Sequence, residues 1–187
     1  MNMKKFSLIA VFQFVLIALS LLSCTSEQVK NDLARVDSIA TVVDQAEVKL
    51  QSIHMDSLRM RFGLYKEYAG EIETHFEELK TEESFPYFCS YRNCKKSFDL
   101  MISGYPDFRE DIDSARIQLE NLKHDIRKEM LEQEEVNQFI LLEAQNARLL
   151  LEKITFRVDN AMKEEVNFDT VHPRIVKFVE DFRNKNK

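Results

Sequence analysis

Apolar positions recur along this chain at alternating intervals of three and four. Val29, Val36, Val43 and Leu50 repeat every seven residues, and Ile39, Ala46, Ile53 and Met60 form a second series with the same period. Together they make the a/d stripe of a heptad pattern, one narrow face that seeks a partner helix. The stripe then slips, and Leu58, Phe62, Tyr65, Ala69, Ile72, Phe76 and Leu79 carry it on. Gly63 and Gly70 lie inside this stretch and weaken it by about 1 kcal/mol each relative to Ala, so a bend near Gly63 is expected. The pattern predicts a first helix over about 31–82.

Punctuation sets the next boundaries. Pro86 opens a second helix of about 86–103, with Ser84 placed to cap it. Gly104 suits a left-handed C-terminal cap, and Pro106 completes the stop. Asp107 and Glu110 then read as a capping box for a third helix of about 107–166. Its stripe includes Phe108, Ile112, Leu119 and Ile126, is interrupted by the polar run 132–135, and resumes with Val136, Ile140, Ala147, Ile154, Val158 and Ala161. Phe139, Leu142, Leu150 and Phe156 widen the apolar face of 136–161 and suggest more than one neighbour. Residues 167–172 read as a loop, and Pro173 opens a last helix over about 173–184. First and third elements of similar length pair antiparallel, with the short second helix at their turn. The expected fold is all-α: a long antiparallel hairpin thickened into a three- or four-helix bundle, with the N- and C-termini at one end and residues 84–106 at the other. The seam 29–60 is closed either by 136–161 of the same chain or by a second copy.

Composition supports few, long elements. The 187 residues include only three Gly and three Pro and no Trp. Gly and Pro supply turns, so a sandwich, a barrel or a glycine-rich phosphate loop is not expected. The net charge is −6, and the first 23 residues hold two lysines and no acid, so the remainder is more acidic still. An acidic surface argues against duplex nucleic acid, whose phosphates must be neutralised by Lys and Arg.

The N-terminus carries an address. Lys4 and Lys5 precede an apolar run over 6–22, followed by Leu21-Leu22-Ser23-Cys24. This resembles the signal of bacterial lipoproteins. The resemblance implies that residues 1–23 are removed, that Cys24 carries the lipid, that 24–30 form a tether, and that 31–187 make one elongated helical domain in the cell envelope. Thr25 in place of Asp after the cysteine points to the outer membrane of a diderm bacterium. Acyl chains contribute ~0.8 kcal/mol per buried CH₂, so such attachment would be stable.

Candidate chemistry is sparse. Cys89 and Cys94 are five residues apart; on a regular helix this separates them by ~8 Å and turns them to different faces. A disulfide between them requires a non-helical turn, and otherwise they are two unpaired thiols. Phe85, Tyr87, Phe88 and Tyr91 stand beside Arg92, Lys95 and Lys96. This aromatic-basic cluster is either a partner-contact tip or the apolar closure of the helical turn. Glu71, His75 and Glu78 share one helix face, as do Glu120 and His124, but the paired Glu-x-x-His of di-iron bundles is missing, so no metal or other cofactor is expected. No nucleophile motif is present, and no enzymatic activity is expected. The expected role is binding, spacing or scaffolding in the envelope, with another envelope protein or a second copy as partner. The alternatives are a carrier of an apolar ligand on the face 136–161, or an inhibitor- or immunity-type lipoprotein.

Overall fold

In the computed structural model, residues 27–186 are described. The candidate signal segment, Cys24 and Thr25 lie outside these residues. Five helices account for nearly all of the described chain: α1 (Glu27–Gln51), α2 (Met55–Thr74), the single turn α3 (Phe76–Leu79), α4 (Phe85–Arg127) and α5 (Gln133–Lys185). They stack into three rods, α1-α2-α3, α4 and α5, so the fold is an all-α bundle.

Polar contacts fix the direction of each rod. Arg35 donates to Asn137, Lys49 to Asp159, and Arg61 to Asp169, while Arg183 reaches Glu71. These partners advance together, so the first and third rods run parallel. Arg116 reaches back to Asp44, and Lys123 to Asp37, so α4 runs antiparallel to the first rod. The topology is therefore up-down-up. The N-terminus of α1 lies beside the turn 128–132, and the C-terminus of α5 lies beside the turn 80–84. The expected arrangement differed, placing the first and third elements antiparallel and both termini at one end.

The differences arise at four places. The first helix does break, but at Ser52–His54, not near Gly63. The core runs Leu50, Ile53, Leu58, a step of five where four is due. One surplus residue would rotate the stripe off its neighbours by ~100°, and the non-helical residues 52–54 absorb it. Gly63 lies within α2, with open space around its Cα.

Secondly, α4 does not stop at Gly104. Phe98, Met101, Tyr105, Phe108 and Ile112 keep the three-four rhythm through Gly104–Pro106, and all pack in or against the core. Gly104 has no positive φ, and Asp107 is an exposed mid-helix residue, not a cap. Pro106 offers no N–H to the carbonyl of Ile102, but it lies on the exposed face, where water can take that carbonyl.

Thirdly, α5 passes through 167–173 without a loop. Ala161, Phe168 and Ile175 are buried at seven-residue spacing, and Pro173 is again exposed.

The fourth difference is the turn that replaces them, at 128–132. The Glu129 N–H bonds to the Ile126 carbonyl at 3.1 Å and the Met130 N–H to that of Asp125 at 3.0 Å. This is a Schellman stop, with Glu129 at φ 51° in the position that glycine usually holds. Glu132 and Glu135 then form a reciprocal capping box for α5.

The core changes character along the bundle. Near the N-terminus it is aliphatic: Val36, Val43, Leu50, Leu119, Ile140 and Ile154 are buried there. Towards the turn 80–84 it becomes aromatic, with Tyr65, Tyr91, Phe98 and Phe168 in mutual contact. The first-rod seam from Val36 to Ile53 is closed within the chain. Met60, expected on it, is instead exposed, because the break at 52–54 turns it outward.

Candidate functional site: an aromatic groove at the far end

The end of the bundle opposite the N-terminus carries the one concentration of aromatic and basic residues that the sequence singles out. Its turn is tied by Ser84, which is almost wholly buried. The Ser84 hydroxyl donates to the Leu79 carbonyl at 2.7 Å and accepts from the Thr81 N–H at 2.8 Å. Ser84 thus faces back into the turn and makes no side-chain cap for α4. Pro86 occupies the first turn of α4, where a missing N–H costs nothing.

From that start the helix period sorts the cluster into floor and rim. Phe88 and Tyr91 point inward and are buried, whereas Phe85, Cys89, Arg92, Lys95 and Lys96 are exposed and Tyr87 is half-buried. Phe88 packs on Phe76 and Phe178, and Tyr87 on Phe178. The cluster is therefore partly the closure of the bundle and partly surface. Between α2 and the start of α4 a groove of about 590 Å³ remains open. Tyr65, Ala69, Ile72, Phe76, Phe85, Phe88 and Tyr91 give it an apolar wall, with Glu73, Cys89, Arg92 and Lys95 also lining it. This volume is within the range of small-molecule and side-chain pockets.

The net charge of the groove lining is opposite in sign to that of the chain. Lys80 lies over the rings of Phe76 and Phe85, at 5.5 and 5.4 Å from their centroids. Arg92, Lys95 and Lys96 take part in no ion pair among the described residues. Arg92 and Lys95 thus outnumber Glu73 among the lining residues, in a protein of net charge −6.

Behind the groove lies a polar layer that the sequence did not reveal. The Tyr91 hydroxyl is 3.0 Å from Nδ1 of His172, whose ring stacks on Phe168 at 4.6 Å. Burial lowers the pKa of His172, and it raises that of Tyr91. The partners are 81 residues apart in the chain, and the expected loop at 167–172 hid their shared level in the bundle.

Cys89 and Cys94 are free thiols, the first exposed and the second buried. The helix between them is regular, so the expected alternative of a local disulfide does not hold. Burial and the neighbouring Glu164 push the Cys94 thiol up to about 12, where it is protonated at neutral pH and a poor nucleophile. Asn167 Nδ2 lies 3.5 Å from its sulfur. Of the acid–histidine faces considered in the sequence, Glu71 is engaged by Arg183 and the ring of His75 packs on Phe182. No group of three or more His, Cys, Asp or Glu among the described residues is arranged to hold a metal. No helix among them is long and apolar enough to cross a membrane.

The face 136–161, expected to meet more than one neighbour or, in the alternative, to hold an apolar ligand, divides in two. Val136, Ile140, Ala147, Ile154, Val158 and Ala161 fill the bundle core, and Phe139, Leu142 and Phe156 point to solvent. Comparison of the chain with protein-family models, with characterised proteins and with solved structures finds no match.

Proposed function

We propose that this protein is a lipid-anchored component of the bacterial cell envelope that binds a partner with the groove at the end of its helical rod. The lipoprotein-type signal ending in Cys24 supports the anchor. The groove is the observation that carries the binding role: an aromatic pocket with an excess of cations, at the end of the bundle away from the N-terminus. α5 alone has 53 residues, so the groove end would stand roughly 60–80 Å from the anchor. The partner that fits is another envelope protein offering apolar side chains flanked by Asp or Glu, since the cationic rim complements acid and the floor accepts apolar groups. The residues that support this role bind and orient, and the buried Cys94 and the half-buried His172 are engaged in packing.

The test replaces exposed rim residues only, because Phe88 and Tyr91 are core and their loss would loosen the bundle. A photoreactive side chain at Lys95 in the full-length protein should give a cross-linked partner band in intact cells. Arg92→Glu with Phe85→Ala should remove that band while leaving the thermal midpoint of the bundle within a degree or two. A band that survives both changes would refute the groove as the contact.

A second reading rests on the same volume: the groove holds a small apolar anion. Native mass spectra of the full-length protein, released in mild detergent, would then show a bound mass that Arg92→Glu removes.

A further inference from the structure

Apolar side chains on the surface are concentrated on one helix. Seven of the thirteen large exposed hydrophobics among the described residues lie on α5, between Phe139 and Val166. Scattered exposure needs no explanation, but such a concentration on one element marks an interaction surface.

Its spacing says more. Phe139, Leu142, Asn146, Leu149, Lys153 and Phe156 follow at three, four, three, four and three on a face of α5 turned about 130° from Ile140, Ala147 and Ile154, and all six are exposed. This is a second heptad seam, separate from the one that closes the bundle. It has Phe139, Asn146 and Lys153 at a, and Leu142, Leu149 and Phe156 at d. Leu149 and Phe156 remain 54% and 63% exposed, and the seam runs about 26 Å along the helix.

We infer that this seam pairs with the same seam of a second copy, in parallel. Three features select that occupant. A single Asn at an a position is the usual register key of a parallel pair, because two such amides can bond only to each other. Glu152 and Arg157 occupy the flanking g and e positions, where a parallel pair sets Glu152 of each copy against Arg157 of the other. Neither residue has an ion-pair partner within the described chain. Lys153, the one like-charged contact at the seam, is drawn aside: its ammonium lies 3.6 Å from Asp111 and over the Phe108 ring, so its charge is held towards α4. A parallel pair also puts both N-termini at one end, which two copies anchored in one membrane require. That last point rests on the anchor proposed above, and the seam itself does not.

Cysteine cross-linking of the full-length chain in its membranes tests this. In a Cys89→Ser background, Asn146→Cys should give a covalent dimer under mild oxidation. Ile117→Cys, likewise exposed but on the outer face of α4, should give none above the background. Adding Leu149→Asp and Phe156→Asp should abolish the dimer at 146, with helical content unchanged by circular dichroism. Absence of a dimer at 146, equal yields at 146 and 117, or a dimer that survives both Asp substitutions would each overturn the inference. Rim variants of the groove should leave the dimer intact, so failure here is distinct from failure of the groove.

Discussion

Two short segments, 104–106 and 128–132, show opposite relations between punctuation and structure. The first has Gly and Pro within three residues, yet α4 runs straight through it. The second has neither, yet the chain reverses there. At 104–106 the apolar stripe keeps its phase on both sides, and burying Met101, Tyr105 and Phe108 outweighs a glycine and one missing hydrogen bond on the solvent face. At 128–132 the rhythm would demand apolar side chains at 129 and 133, and supplies Glu and Gln. The helix has nothing to bury there and ends. What decides a boundary in this chain is the continuity of the buried stripe, with local breakers second.

The comparison can be broken most strongly at Phe108, which is 3% exposed. Phe108→Ala should cost about 3–5 kcal/mol by removing a buried ring. Met130→Ala, at an exposed apolar residue in the turn, should change stability by less than about 0.5 kcal/mol. Chemical denaturation of both variants, with the slope held constant, checks the contrast. Similar losses at the two sites would contradict the stripe as the deciding element.

Proline removal has the next largest effect. Inside a helix, Pro106→Ala should stabilise by about 1–3 kcal/mol, since Ala restores the donor to the Ile102 carbonyl. At a true helix stop the same change would be neutral or unfavourable, because it frees the unfolded chain.

Glycine exchanged between the two segments should raise stability at both. Glu129→Gly relieves a left-handed conformation by about 1 kcal/mol. Gly104→Ala should gain up to about 1 kcal/mol, because the new methyl meets the Phe108 ring at an ordinary 3.6 Å. A glycine acting as a left-handed cap at 104 would give the opposite sign.

The smallest effect is on pH dependence. His172 has its pKa lowered by burial, so the unfolded chain binds this proton more readily than the folded one. Stability contributed at His172 is full above about pH 6.5 and declines as pH falls below it towards the folded value. Asp32, Glu71 and Asp169 are also lowered, by hydrogen bonds from Gln133, Arg183 and Arg61 among others, and their losses begin only below about pH 4.5. Thermal melts between pH 7 and 5 should therefore fall for the native chain and flatten in His172→Gln.

Much of the fold was legible because periodicity is global while caps are local. The all-α class and the inward positions of the first seam from Val36 to Ile53 follow from spacing alone. The topology does not, since it depends on which of three weak breaks is used. Two were overridden by phase, and the one used is built from Glu129 and the Glu132–Glu135 capping box, residues equally at home inside a helix. The aromatic-basic cluster was visible as composition. Its division into floor and rim, and the Tyr91–His172 contact behind it, required the direction of α5. The second seam was present in the apolar width of 136–161, but it reads as core until the first seam is known to be filled.

One distance tests the topology most directly. Spin labels at Lys30→Cys and Lys185→Cys, in a Cys89→Ser background, report whether the chain ends at the groove or returns to the N-terminus. Glu71, bonded to Arg183, stands some 40 residues along the first rod from Lys30. The up-down-up bundle therefore predicts a separation of roughly 60–65 Å. A separation below about 30 Å, less than 20 residues of helix rise, would place both termini at one end and contradict it.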